Sequence, residues 1–137
     1  MSTFVFDHVG LPVADLDAQR RFYGDALGLV ELEEHVEMPA AQVRSAILRA
    51  PGGLEIELIE RGGSTPQTFS DPSDGAGLQG FFHWALYVDD LDEAFGAVIA
   101  AGACEVSGPA GAARPGARFA YLHDPEGNLL ELIQPAA

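Results

Sequence analysis

Residues 6–17 read FDHVGLPVADLD, and residues 81–92 read FFHWALYVDDLD. Phe6, His8, Leu11, Val13, Asp15, Leu16 and Asp17 of the first stretch recur as Phe81, His83, Leu86, Val88, Asp90, Leu91 and Asp92, each 75 positions further on. A second echo supports the first. PGGLEIELIE (51–60) reads against PEGNLLELIQ (125–134), so that Pro51, Gly53, Glu57, Leu58 and Ile59 recur 74 positions on as Pro125, Gly127, Glu131, Leu132 and Ile133. Two echoes at nearly one offset mark a duplication. The period exceeds the roughly 20–50 residues of solenoid repeats and describes two fused halves instead.

Each half opens as a strand. In TFVFDHVGLPV, Phe4, Phe6, His8 and Gly10 share one face by strict alternation, with Val5, Asp7, Val9 and Leu11 on the other. Asp15 then stands where a helix N-cap belongs. Leu16, Phe22, Tyr23, Ala26 and Leu27 follow as an apolar stripe that Gly28 is placed to end. The second half repeats this with GFFHWALYV, a cap at Asp89 or Asp90, a stripe of Leu91, Phe95, Val98 and Ile99, and Gly102. Three strand-like runs follow each helix. They are VELEEHV, AQVRSAILRA and LEIELIE in the first half, and ACEVSG, ARFAYLHD and NLLELIQ in the second. The expected architecture is α+β, one domain over residues 1–137 built from two βαβββ modules. Module 1 covers 1–61, a Gly-, Ser- and Pro-rich linker covers 62–79, and module 2 covers 80–137. A second flexible run, SGPAGAARPGAR (107–118), interrupts module 2 as a connection or a lid.

Composition narrows the possible partners. A chain of 137 residues is the size of one domain and can bury roughly 68–70% of its unfolded surface. The formal net charge of −14 argues against nucleic acid and anionic membrane, which both call for a basic patch. All seven cationic residues are arginine, which excludes lysine Schiff-base chemistry. The single cysteine, Cys104, excludes an internal disulfide and a cysteine-rich zinc site; it reads as a buried structural thiol. MSTFVFDHVG lacks the basic start and long apolar core of a secretion signal, and no apolar run approaches the ~20 residues of a membrane span. A cytoplasmic location is the expectation.

The glutamates sharpen the question posed by the histidines. In LEIELIE, Leu54, Ile56 and Leu58 must face the helix, which turns Glu57 to the opposite face. NLLELIQ places Glu131 likewise. A carboxylate among apolar strand neighbours costs several kcal/mol if buried unpaired, so something should compensate it. His8 with Glu57 and His83 with Glu131 give one imidazole and one carboxylate per half at matched positions, as a metal on a pseudo-two-fold axis would use. Mixed nitrogen and oxygen donors suit zinc, nickel, cobalt, manganese or iron better than calcium or magnesium.

The strand-helix-strand-strand-strand unit, the opening HVGLPVADLD…FYGDALGL and the closing YLHDPEGNLLELI together resemble the vicinal oxygen chelate superfamily. That group includes glyoxalase I, methylmalonyl-CoA epimerase, extradiol dioxygenases, fosfomycin-resistance enzymes and bleomycin-resistance proteins. The resemblance covers essentially the whole chain. It implies two βαβββ modules forming a cupped mixed sheet, a homodimer, one divalent metal ion and a small-molecule substrate. It also places His8, Glu57, His83 and Glu131 on the four metal-ligand positions of glyoxalase I. The dioxygenases use three of these positions, His8, His83 and Glu131, and the bleomycin-binding proteins generally lack the set.

From that resemblance comes an expected chemistry. A substrate offers one or two oxygens to the metal, and a carboxylate beside the metal removes a proton next to a carbonyl. Glu131 is the expected base, with Glu57 in the symmetric role. Arg114, Arg118, Arg20 or Arg21 could meet a conjugate's carboxylates, and Phe69, Phe81, Phe119 and Tyr121 could line a pocket. His35 and His123 are not at ligand positions. Two alternatives remain open, an extradiol-type dioxygenase and a non-catalytic protein that binds an antibiotic or metabolite.

Overall fold

The computed structural model describes residues 2–137 and, for residues 33–36, the backbone alone. It divides into two compact units, one ending at Pro66 and the other beginning at Gln67. The first contains strand β1 (Val9–Val13), helix α1 (Leu16–Leu27), β2 (Val30–Met38), β3 (Val43–Arg49) and β4 (Glu55–Arg61), with a 3₁₀ turn at Pro39–Ala41. In the second are a four-residue helix α2 (Pro72–Gly75), β5 (His83–Tyr87), α3 (Leu91–Ala100), β6 (Cys104–Gly111), β7 (Arg118–His123) and β8 (Leu129–Gln134). Each unit forms a four-stranded sheet, in the orders β1-β4-β3-β2 and β5-β8-β7-β6. The first and last strands of each unit pair in parallel and the other pairs are antiparallel. The α+β class and the duplicated unit read from the sequence are therefore found.

Caps fix where each long helix begins. Asp15 accepts a hydrogen bond from the Ala18 N–H at 2.9 Å, and Asp90 accepts one from the Glu93 N–H at 3.0 Å, which resolves the choice between Asp89 and Asp90. Each helix has a further acceptor at the end of its unit's last strand. Glu60 Oε2 takes the Leu16 N–H at 2.8 Å and Gln134 Oε1 takes the Leu91 N–H at 2.9 Å. This tie between strand and helix satisfies one of the donors that helical bonding leaves open. At its other end α1 stops on Gly28, whose φ of 66° lets its N–H reach back to the Gly24 carbonyl.

The helices lie on one face of each sheet. Leu16, Phe22 and Tyr23 meet Ala46, Leu48, Ile56 and Leu58, while Leu91 and Val98 meet Ala120, Leu122, Leu130 and Leu132, all buried. Full burial of each large side chain contributes roughly 1.5–3 kcal/mol. Alternation then sends Glu57, Glu131, Phe119 and Tyr121 to the face away from the helix, where each is partly exposed.

Three local expectations are corrected. The first strand was expected from Thr3 and the fifth from Gly80, yet the ladders begin at Val9 and His83. Their parallel partners β4 and β8 begin only at Glu55 and Leu129, so the preceding residues run past the end of the sheet. Phe4 is 94% exposed as a result. Half of the expected flexible run 107–118 is strand: Ser107 to Gly111 complete β6, whose register shifts twice against β7, and Arg118 opens β7. An edge strand with such bulges accommodates Pro109 and the neighbouring glycines. The stretch expected to have little to pack also contributes to the second unit. Phe69 is buried against Phe82, and its carbonyl lies 2.6 Å from His123 Nε2.

Candidate functional site

Strand register builds two half-sites of the same plan. In the first unit Glu57 on β4 stands opposite Gly10, and His8 lies two residues before Gly10, just ahead of the ladder that begins at Val9. In the second, Glu131 on β8 stands opposite Ala85, with His83 two residues before it. A small residue opposite each glutamate leaves room for the imidazole to lean across. His8 Nε2 lies 3.2 Å from Glu57 Oε2, and His83 Nε2 lies 3.1 Å from Glu131 Oε2.

The turns preceding the glutamates keep that register. Between β7 and β8, the Asp124 carboxylate accepts hydrogen bonds at 2.9 Å from the N–H groups of Glu126 and Asn128 and from Asn128 Nδ2. Gly127 turns the chain at a φ of 87°, and Gly53 does the same before β4 at 88°. The HDPEGN segment is thus structural, as is its His123, whose Nε2 meets the Phe69 carbonyl. The side chain of His35 falls outside those described.

The surroundings of the two halves differ. His8 Nδ1 lies 2.5 Å from Asp7 Oδ2, and that bond is the main reason the His8 pKa is raised above 6.5, with the Asp7 charge and Glu57 adding to it. With Asp7 at Nδ1 and Glu57 at Nε2, the imidazole stands between two carboxylates, and a metal would take the place of the Nε2 proton while Asp7 holds the ring in orientation. Phe82 occupies the matching place in the second unit. Its ring packs edge-on against His83 at 4.3 Å, and His83 Nδ1 is buried without a hydrogen-bond partner among the described residues. Glu131 instead has Tyr121 directly across on β7. Burial, the Glu131 charge and a hydrogen bond to that carboxylate push the Tyr121 phenol up to about 12, so it stays a donor at neutral pH. The residue across from Glu57 is Ile47.

Each half-site fits a metal's donor set. Two ligand atoms held cis on one ion at about 2.1 Å are roughly 3 Å apart, close to both observed separations. Among the described residues no three His, Cys, Asp or Glu side chains gather at one point, so neither unit by itself assembles more than its histidine and glutamate.

Other expectations are placed as follows. Arg20 pairs with Glu31 and Asp17, and Arg118 makes a two-point pair with Asp92 on α3 at 2.8 and 3.0 Å. Both guanidinium groups are thus already engaged by carboxylates. Arg21 and Arg114 are exposed. Phe119 and Tyr121 flank Glu131's face with ring centroids 5.8 Å apart, whereas Phe81 is fully exposed and Phe69 packs beneath Phe82. Cys104 is exposed at the start of β6, not buried, because this edge strand turns it to solvent. Sequence reasoning missed Asp7, although its place beside His8 was a usable signal.

This chain belongs to the Glyoxalase/Bleomycin resistance protein/Dioxygenase superfamily, whose family model matches residues 5–132. It is 31% identical over 130 residues to a probable lactoylglutathione lyase of Vibrio parahaemolyticus, covering 93% of this chain and 88% of that one. A glyoxylase/bleomycin resistance protein/dioxygenase domain from Frankia sp. superposes with a TM-score of 0.77 at 26% identity, covering 97% of this chain and 93% of the other. Glyoxalase I from Zea mays superposes at 0.76 with 23% identity over 96% of this chain and 44% of its own, a likeness of fold. Members of the family typically use a divalent metal and act on small molecules. Among the described residues no helix is long and apolar enough to cross a membrane.

Proposed function

We propose that this protein is a divalent-metal-dependent enzyme of the glyoxalase and epimerase type, a lyase or isomerase that removes a proton next to a carbonyl of a small oxygenated substrate. The observation carrying this reading is the repeated pair, an imidazole nitrogen and a carboxylate oxygen 3.1–3.2 Å apart in each unit. The 31% identity to a probable lactoylglutathione lyase supports it.

In this reading His8, Glu57, His83 and Glu131 hold one ion of zinc, nickel, cobalt, manganese or iron. When bound, the ion supplies Lewis acidity for negative charge developing on the substrate's carbonyl oxygen. Glu131 and Glu57 are ligands that can also accept a proton, which suits carboxylates better than imidazoles already committed through nitrogen. Asp7 keeps His8 presenting Nε2. The aromatic rings of Phe119 and Tyr121 give the substrate an apolar wall beside Glu131. A homodimer in the cytoplasm completes the proposal.

The test is elemental analysis of protein purified without added metal, followed by measurement of deuterium incorporation next to the carbonyl of a thiol-conjugated 2-oxoaldehyde. Near-stoichiometric nickel, cobalt or zinc with metal-dependent exchange is expected. Iron with oxygen uptake on a catechol would move the assignment to the three-ligand dioxygenase. Failure to bind any of these ions would leave a binding protein.

A further inference from the structure

The duplication makes every site residue comparable with its counterpart, and the comparison breaks at one position facing each glutamate. Ile47 on β3 faces Glu57, and Tyr121 on β7 faces Glu131, each as the direct cross-strand neighbour. Tyr121 also touches the other member of its half-site, with ring centroids 5.6 Å from His83 at 74°. Phe119 braces its far side at 5.8 Å. Directly opposed strand residues sit close enough to interact, and a phenol offers a donor where isoleucine offers none. The first half-site is anchored through its histidine by Asp7, and the second has Phe82 in that place.

We propose that Tyr121 is a positioning residue for Glu131: its hydroxyl holds the carboxylate in its ligand orientation while its ring holds His83. It does in the second unit, through the carboxylate, what Asp7 does in the first through the imidazole. Glu57, across from Ile47, has no such donor from that strand position, so the two glutamates are not interchangeable. This inference rests on the metal reading above. The two can fail separately.

The test measures nickel and zinc affinity of metal-free protein by competition with a chromophoric chelator, together with the visible spectrum of the cobalt-loaded form. Tyr121→Phe keeps the ring and removes the hydroxyl. Loss of an outer partner of a metal ligand lowers affinity roughly 10–100-fold, and that loss is expected here with an altered cobalt spectrum and unchanged circular dichroism. Tyr87→Phe, at an exposed tyrosine, should change neither. Tyr121→Leu should add a loss of thermal stability that Tyr121→Phe does not show. Wild-type affinity and spectrum in Tyr121→Phe would overturn this inference and leave the metal site standing. Absence of metal binding by the wild-type protein would overturn both.

Discussion

Glu60 and Gln134 hold equivalent places at the ends of β4 and β8, and each reaches across to cap the first backbone N–H of its unit's long helix. The site glutamates lie three residues earlier on the same strands. The strand that presents each candidate ligand therefore also anchors the helix behind it. Gln134→Ala should lower stability by about 1 kcal/mol, the usual value of a helix cap, without altering metal affinity. Urea unfolding and metal competition on the same variant check both halves of this statement.

Asp7→Ala removes the carboxylate from His8 Nδ1. Metal affinity should fall by roughly tenfold. The His8 titration, followed by NMR on metal-free protein, should move down toward 6.5, since Asp7 is the main cause of its elevation. A raised folded pKa means that the His8–Asp7 contribution to stability is fully present below the unfolded value. It is lost as pH rises through the folded one. A His8 pKa unmoved by Asp7→Ala would contradict the assignment.

Arg118→Ala should leave the Michaelis constant for any acidic substrate unchanged, because the guanidinium is committed to Asp92. The same pair has an acid signature. Arg118 lowers the Asp92 pKa below its ordinary 3.8. Its stability contribution is therefore present above that value and disappears as pH falls through the lower folded one. The stability gap between wild type and Arg118→Ala, small for so exposed a pair, should be flat at neutral pH and close in acid.

Leu132→Ala tests the support behind Glu131. Leu132 is fully buried, and truncations of this kind cost roughly 2–5 kcal/mol depending on how far the cavity collapses. Chemical denaturation should show a loss in that range.

Cys104→Ala should retain metal content and turnover. Since the thiol is exposed, a thiol reagent should modify the native protein fully without denaturant.

Much of the fold was legible because it is written twice. Asp15, Gly28, the buried alternation of Ile56 and Leu58, and the matched His8–Glu57 and His83–Glu131 pairs follow from period and spacing, and the structure has each pair in contact. Strand starts were less legible, since a strand ends where its partner does, and Phe4 and Phe6 have strand composition yet stand exposed ahead of the ladder. Asp7 escaped notice, and Tyr121 was read only as a pocket wall, for a different reason. A search for repeats rewards what the halves share, whereas these two residues matter by being unlike Phe82 and Ile47.

Within each unit the histidine and the glutamate come from opposite ends of the chain segment, joined by the parallel pairing of its first and last strands. Parallel neighbours of such separation form late, because the intervening loop entropy must be overcome before their contacts contribute. During synthesis, a unit cannot close its half-site until its final strand has left the ribosome. An ion captured there would act as a clasp on finished units, stabilising completed folding over partial structures.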